Sequence, residues 1–242
     1  MLAFQRSAMK SIIIGDIHGC YYALNAMLKK LQPDPDLDRL IFLGDLFDRG
    51  PCSWEVFNLV RELAVSFRER FILLRGNHED YLLDRSLTFS KRLIWSRVGR
   101  GTTVQSFKAH GEKMESAIPW LETHCVLYYK EKNFQCVHAG IRVDPLEAND
   151  LETMIHDHSV VMDNHFYVPL TITGHIALSV PTWFAGDGDT TMEMGYGTSY
   201  SLPASGVICI DTGCGKGGSL TAMTIENGRF ILDTVNEKGE IA

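Results

Sequence analysis

Residues 10–15 (KSIIIG) are a short apolar, β-branched run built on Ile12, Ile13 and Ile14, the pattern of a buried strand. Residues 21–31 place apolar side chains at helical spacing and stop before Pro33. Residues 39–43 (RLIFL) predict a second buried strand, and Ser53 reads as the N-cap of a helix reaching about residue 70. Residues 71–74 (FILL) predict a third strand. Such strand–helix alternation predicts βαβ units with neighbouring parallel strands. Residues 79–121 lack strand signals and carry Leu, Trp and Phe at helical intervals, which predicts two to four short helices. Beyond them, residues 125–129 and 134–137 flank the polar turn KEKN and read as a hairpin. Further strands are expected at 170–173, 206–210, 219–225 and 229–235, the last two joined by Glu226-Asn227-Gly228, a hairpin turn. The Gly-rich stretch 186–200 is too long for a mere connection; a flap bordering the active site is expected there, with an ordinary disordered excursion as the equal alternative. The expected class is α/β of the four-layer type, with two mixed β-sheets packed face to face and flanked by helices.

The chain has 242 residues, 45% hydrophobic and 22% charged, enough apolar material for one sizeable core. One domain over 9–242 is expected, with residues 1–8 as an N-terminal extension. Residues 1–8 have no long apolar core and no stretch elsewhere reaches the length of a membrane span, so neither a signal peptide nor membrane insertion is expected. The net charge of -7 offers no broad basic face, which argues against nucleic acid as a partner. Cys20, Cys52, Cys125, Cys136, Cys209 and Cys214 are irregularly spaced without a C-x-x-C pair, so reduced thiols in a cytoplasmic protein are expected.

The chemistry gathers at strand ends. The first strand runs into Gly15-Asp16-Ile17-His18-Gly19, the second into Gly44-Asp45-Leu46-Phe47-Asp48-Arg49-Gly50, the third into Arg75-Gly76-Asn77-His78-Glu79. In open α/β sheets ligands bind beyond the carboxyl ends of the strands. Asp16 and His18, two apart, can face one ion. Asp45 has two carboxylate oxygens and can bridge two, and Asn77 offers a carbonyl oxygen. Mixed carboxylate, imidazole and amide donors suit Mn²⁺, Fe²⁺ or Zn²⁺. Two such ions about 3.5–4 Å apart clamp a phosphate and lower the pKa of water to about 7. Each cluster alone could be a turn or a cap; three in order, each after an apolar strand, make a site.

These motifs resemble the calcineurin-like metallophosphoesterase superfamily, and within it the phosphoprotein phosphatase branch with its bacterial and phage serine/threonine phosphatases. GDIHG, GDLFDRG and GNHE match that branch without departure, and Val137-His138-Ala139-Gly140, Thr173-Gly174-His175 and Ile210-Asp211-Thr212-Gly213-Cys214 match its later elements. The resemblance implies the metallophosphoesterase fold and two divalent ions, Mn²⁺ first, with iron, zinc or nickel as alternatives. It implies Asp16, His18 and Asp45 on one ion and Asp45, Asn77, His138 and His175 on the other. His78 would be the general acid, Asp48 its orienting partner and Arg49 a phosphate clamp. Asp211 would support a metal-bound histidine or simply form the turn. A metal-dependent phosphatase is expected, acting through a bridging hydroxide on phosphoserine or phosphothreonine proteins, with phosphotyrosine also within reach. The alternatives are a bis(5'-nucleosyl)-tetraphosphate hydrolase or small-molecule phosphoesterase on the same fold, and a non-catalytic phosphoprotein-binding relative. The dinucleotide group tends to lose the aspartate of the DRG motif, so Asp48 favours the phosphatase. One departure stands out: the branch's W-x-R stretch corresponds to residues 154–158, where His156 replaces the second phosphate-gripping arginine. Arg97, Arg100 or Arg142 are candidates to substitute for it; the alternatives are a weaker hold on phosphate or a loop that is simply rearranged.

Overall fold

The computed structural model describes residues 9–163 and 168–240; the expected extension over 1–8 lies outside them. The first half alternates β1 (Ser11–Ile14), α1 (Tyr21–Leu31), β2 (Arg39–Phe42), α2 (Ser53–Phe67) and β3 (Phe71–Leu74). β1 pairs with β2, and β2 with β3, in parallel. The unbroken apolar runs follow from a core on each side. Ile13 and Ile41 face the second sheet, where they meet Cys136, Ile172 and Ile208. Ile12, Ile14, Leu40 and Phe42 face the helices, among Leu24 and Met27 of α1 and Val56 and Val60 of α2. Each such side chain contributes about 1.5–3 kcal/mol by leaving water.

Four α-helices occupy the expected helical stretch: α3 (Asn77–Leu83), α4 (Phe89–Arg97), α5 (Arg100–Ala109) and α6 (Ile118–His124). The chain then enters β4 (Cys125–Val126), β5 (Tyr128–Lys130) and β6 (Phe134–Val137). The hairpin is β5–β6 and starts at Tyr128, later than expected. β4 instead extends the first sheet in parallel with β3, so the chain changes sheets at Leu127. There follow α7 (Leu151–His156), α8 (Ser159–Met162), β7 (Leu170–Thr173), β8 (Thr182–Phe184), β9 (Thr191–Glu193), β10 (Ser199–Ser201), β11 (Val207–Cys209), β12 (Ser219–Glu226) and β13 (Arg229–Asn236). The sheets have the orders β10-β13-β12-β1-β2-β3-β4 and β5-β6-β7-β11-β8-β9. α7 covers the outer face of the second sheet, with Met154 and Ile155 against Val137, Val207 and Cys209. The layers are therefore helix, sheet, sheet, helix.

Two expectations are corrected. The 186–200 stretch is neither a flap nor an excursion: it holds β9, on the edge of one sheet, and leads into β10, on the edge of the other. Its Met194 is buried between the sheets. Ser53 does not cap α2; Cys52 holds the N-cap position without a side-chain bond, and the buried Ser53 hydroxyl lies 3.3 Å from the Asp48 amide. No helix among the described residues is long and apolar enough to cross a membrane.

Candidate active site

The parallel trio β1-β2-β3 of one sheet and β6-β7-β11 of the other deliver their carboxyl ends to one edge. The loops there are sewn together by backbone hydrogen bonds. Ile17 and His18 donate to Asp45 O at 3.1 and 2.8 Å, Gly50 donates to His18 O at 2.9 Å, and Gly174 donates to His138 O at 2.9 Å. Five of the eight non-glycine residues with positive φ among those described are His18, Asp45, Asp48, Arg49 and His175. Such conformations cost about 1–3 kcal/mol each and persist where surrounding structure enforces them for a task. A Cβ at Gly174 would overlap Asp16 Oδ1, and one at Gly76 would overlap Asp45 Oδ1, so both positions exclude any side chain.

Asp45 is the hub. Its Oδ2 lies 3.5 Å from His18 Nε2 and 3.9 Å from His78 Nε2. Its Oδ1 lies 3.5 Å from His138 Nε2 and accepts the His78 amide at 3.0 Å. Two groups of donor atoms each fit within 4.8 Å: His18, Asp45 and His78, and Asp45, His138 and His175. Asn77 Oδ1 joins the second group, 3.2 Å from His138 Nε2 and 3.1 Å from His175 Nδ1. Asp16 sits behind, its carboxylate accepting the His175 amide at 3.1 Å. Asp211 accepts the Gly213 amide on Oδ1 at 2.9 Å, and its Oδ2 lies 3.8 Å from Lys216 Nζ.

The donor set fits cations. His18 Nδ1 faces Phe47 O at 2.9 Å and His138 Nδ1 faces Leu43 O at 2.7 Å. Those carbonyls require N–H at Nδ1, which leaves each Nε2 as a lone pair aimed at Asp45. His138 Nε2, Asn77 Oδ1 and Asp45 Oδ1 are then converging acceptors with no proton between them. Burial, then the neighbouring Asp211 and Asp45 charges, pushes the Asp16 carboxyl well above its ordinary range. Asp211 Oδ2 is buried without a hydrogen-bond partner. Burial also raises Asp45, but the imidazoles of His138, His78, His18 and His175 outweigh it and hold the carboxyl below the usual range. Burial, then the nearby His78, lowers His18, and burial, then His138, lowers His175 to about 2. Neutral imidazoles and an ionised shared carboxylate are what divalent ions need.

His78 differs. Its Nδ1 lies 2.6 Å from Asp48 Oδ2. Burial opposes its charged form, but Asp45 and the Asp48 hydrogen bond outweigh that and raise its pKa above the ordinary histidine value. Arg49 Nε donates to His18 Nε2 at 3.1 Å, which sets the guanidinium at the rim. His156 is half-buried beside the site, its ring 6.2 Å from His175, and His158 Nε2 lies 3.0 Å from His175 Nε2. Two candidates to replace the missing arginine are engaged elsewhere: Arg142 binds Asp157 through Nε and Nη2, and Arg100 lies over the Trp95 ring. Glu79, to which the sequence reading assigned no role, accepts the amides of Asp45, Leu46 and Gly76 at 2.7, 2.8 and 3.0 Å. It clamps the second motif to the third; its place as the last residue of GNHE was its sequence signal.

A shared carboxylate between two histidine-bearing half-sites, at the edge of a double sheet, defines a metallophosphoesterase centre. Residues 9–221 match the family model described as calcineurin-like phosphoesterase, and the chain belongs to that family of metal-dependent phosphoester hydrolases. A symmetrical bis(5'-nucleosyl)-tetraphosphatase of Klebsiella pneumoniae (strain 342) is 26% identical over 284 aligned residues, covering 95% of this chain and 96% of the relative. One of Erwinia tasmaniensis is 34% identical over 136 residues, covering 55% of this chain and 45% of the relative. Among solved structures, a metallophosphoesterase from Sphaerobacter thermophilus superposes with a TM-score of 0.64 at 20% identity, covering 94% of this chain and 89% of that one. The cold-active protein-tyrosine phosphatase of a Shewanella species superposes at 0.56 with 17% identity, covering 98% and 81%. These structural likenesses establish the shared fold.

Proposed function

We propose that the protein hydrolyses dinucleoside tetraphosphates, with Mn²⁺ in both half-sites. The observation that carries this reading is the near full-length match, 95% of this chain, to a relative named as a symmetrical tetraphosphatase. It favours the dinucleotide over the phosphoprotein substrate that the motifs alone suggested. Asp16, His18 and Asp45 would hold one ion and Asp45, Asn77, His138 and His175 the other. When bound, the ions polarise phosphoryl oxygens and lower the pKa of water to about 7. Arg49 binds a non-bridging oxygen with its guanidinium fork. His78 holds a proton on Nε2, facing Asp45, and gives it to the departing oxygen. Asp48 keeps Nδ1 occupied, so only Nε2 is free to act. The six unpaired thiols suit a reducing compartment such as the cytoplasm.

The second reading is a phosphomonoesterase acting on phosphoserine, phosphothreonine or phosphotyrosine. It is favoured by the intact Asp48–His78 pair, because an alkoxide leaving group needs a proton more than a nucleoside diphosphate does. It is also favoured by the cavity beside His156 and His158, where Asp157 is paired with Arg142 and the carboxylates of Asp150, Glu152 and Asp163 give an acidic lining unfavourable to a polyphosphate. The test is hydrolysis by metal-stripped protein after Mn²⁺ is restored, comparing diadenosine tetraphosphate, p-nitrophenyl phosphate and phosphopeptides of each kind. Preference for the dinucleotide, with nucleoside diphosphate as sole product, is expected. Turnover of monoesters alone would transfer the protein to the second reading.

A further inference from the structure

α4 and α5 supply none of the metal-facing donors, yet each sends one side chain to Asp48. This carboxylate is 0% exposed. Its Oδ2 accepts Trp95 Nε1 at 2.7 Å while facing His78 Nδ1 at 2.6 Å. Its Oδ1 accepts the Thr103 hydroxyl at 2.6 Å, and Thr103 Oγ1 in turn accepts the Asp48 amide at 2.9 Å. Trp95 is the buried residue of α4, while Phe89, Leu93 and Ile94 on the same helix are exposed. The ring is fixed between Tyr81, stacked at 5.9 Å, and the Arg100 guanidinium at 5.0 Å.

The choice of donors is informative. An indole N–H only donates and never titrates. A buried carboxylate held by one imidazole alone would be poorly compensated and free to turn about its last torsion. Three side-chain donors, His78 Nδ1, Trp95 Nε1 and Thr103 Oγ1, hold it in one orientation through short bonds of 2.6–2.7 Å. We infer that Trp95, seconded by Thr103, is a positioning residue for proton delivery: through Asp48 it keeps His78 Nδ1 occupied and Nε2 turned toward the reacting phosphate. This rests on the reading of His78 as the acid. The competing account is that Trp95 merely fills the core under α4.

The test is Trp95→Phe, which keeps the ring and its stacking and removes the N–H. Turnover with Mn²⁺ is compared on phenyl phosphate, a poor leaving group, and p-nitrophenyl phosphate, a good one. The expected result is a kcat lowered about tenfold on phenyl phosphate and less than about twofold on p-nitrophenyl phosphate, with KM and metal content unchanged. His78→Asn should show the same selectivity with a larger loss, and Trp95→Phe should add nothing in that background. Equal losses on both substrates, or a further loss on top of His78→Asn, would assign Trp95 to packing and overturn the inference. A His78→Asn variant without selectivity would remove the acid reading itself. A selective His78→Asn beside an unselective Trp95→Phe would remove only the inference. Should Trp95→Phe fail to fold, ¹⁵N-indole spectra of the intact protein decide. The Trp95 N–H should resonate downfield, exchange slowly and move upfield in Asp48→Asn, and an unmoved signal overturns the proposal.

Discussion

His175 offers a direct measure of how far the site enforces neutral imidazoles. Burial, then the adjacent His138, pushes its pKa from the ordinary 6.5 to about 2, with Asp45 opposing. In the metal-free protein the unfolded chain therefore takes up a proton below pH 6.5 that the folded chain refuses. A histidine lowered on folding contributes stability above its unfolded pKa and loses it as pH falls. The loss is about 1.4 kcal/mol per pH unit, so His175 alone should cost about 2 kcal/mol between pH 7 and pH 5. Asp16 and Asp211, raised on folding, work the other way and are common to both proteins when His175→Asn is the comparison. The assay is urea unfolding of metal-free wild type and His175→Asn at pH 7, 6 and 5. The stability of the wild type relative to the variant should be flat above pH 7 and fall by about 2 kcal/mol by pH 5. A flat difference across the whole range would mean that His175 is protonated in the fold as readily as in water, and the neutral-ligand argument would fail with it.

Asp45→Asn removes the one carboxylate shared by both half-sites, and should lower both metal content and kcat, the latter on the order of 10³-fold or more; full metal content after dialysis would refute the bridging role. Gly174→Ala should drive the Asp16 carboxylate aside, costing on the order of 10² in kcat and about 1–3 kcal/mol in stability. Enzyme assays and thermal melts on one preparation check both effects, and an unchanged kcat would count against Asp16. Gly228, with φ of 72°, ends the β12–β13 turn away from the metal-facing residues. Gly228→Val should cost about 1–2 kcal/mol in denaturant titrations and leave kcat unchanged.

Local pattern carried much of the fold. β1, β2 and β3 were legible because side chains buried on both faces of a strand leave a continuous apolar run. The β12–β13 hairpin was legible because Asn227 and Gly228 both adopt the positive φ their sequence favours. Sheet membership was not legible. β4 and β5 are 2 and 3 residues long, too short to show a period, and they join different sheets through partners 50 or more residues back for one and just ahead for the other. The edge strands β9 and β10 carry exposed, Gly-flanked sequence that reads locally as loop.

The same division runs through the site. The motif residues Asp16, His18, Asp45, Asn77, His78, His138 and His175 stood out in the sequence because each cluster follows an apolar strand with glycines beside it. The sequence by itself therefore determined the donor types, and with them the class of ion that such donors suit. Only the tertiary structure decided that Asp45 stands between His18 and His138, that Ser53 turns inward instead of capping its helix, and that Trp95 and Thr103 close around Asp48. Those outcomes depend on hydrogen bonds such as His138 Nδ1 to Leu43 O and Trp95 Nε1 to Asp48 Oδ2, which span 95 and 47 residues. Helical and strand periods report which face of an element is buried; they hold no information about which distant group a polar side chain will meet there.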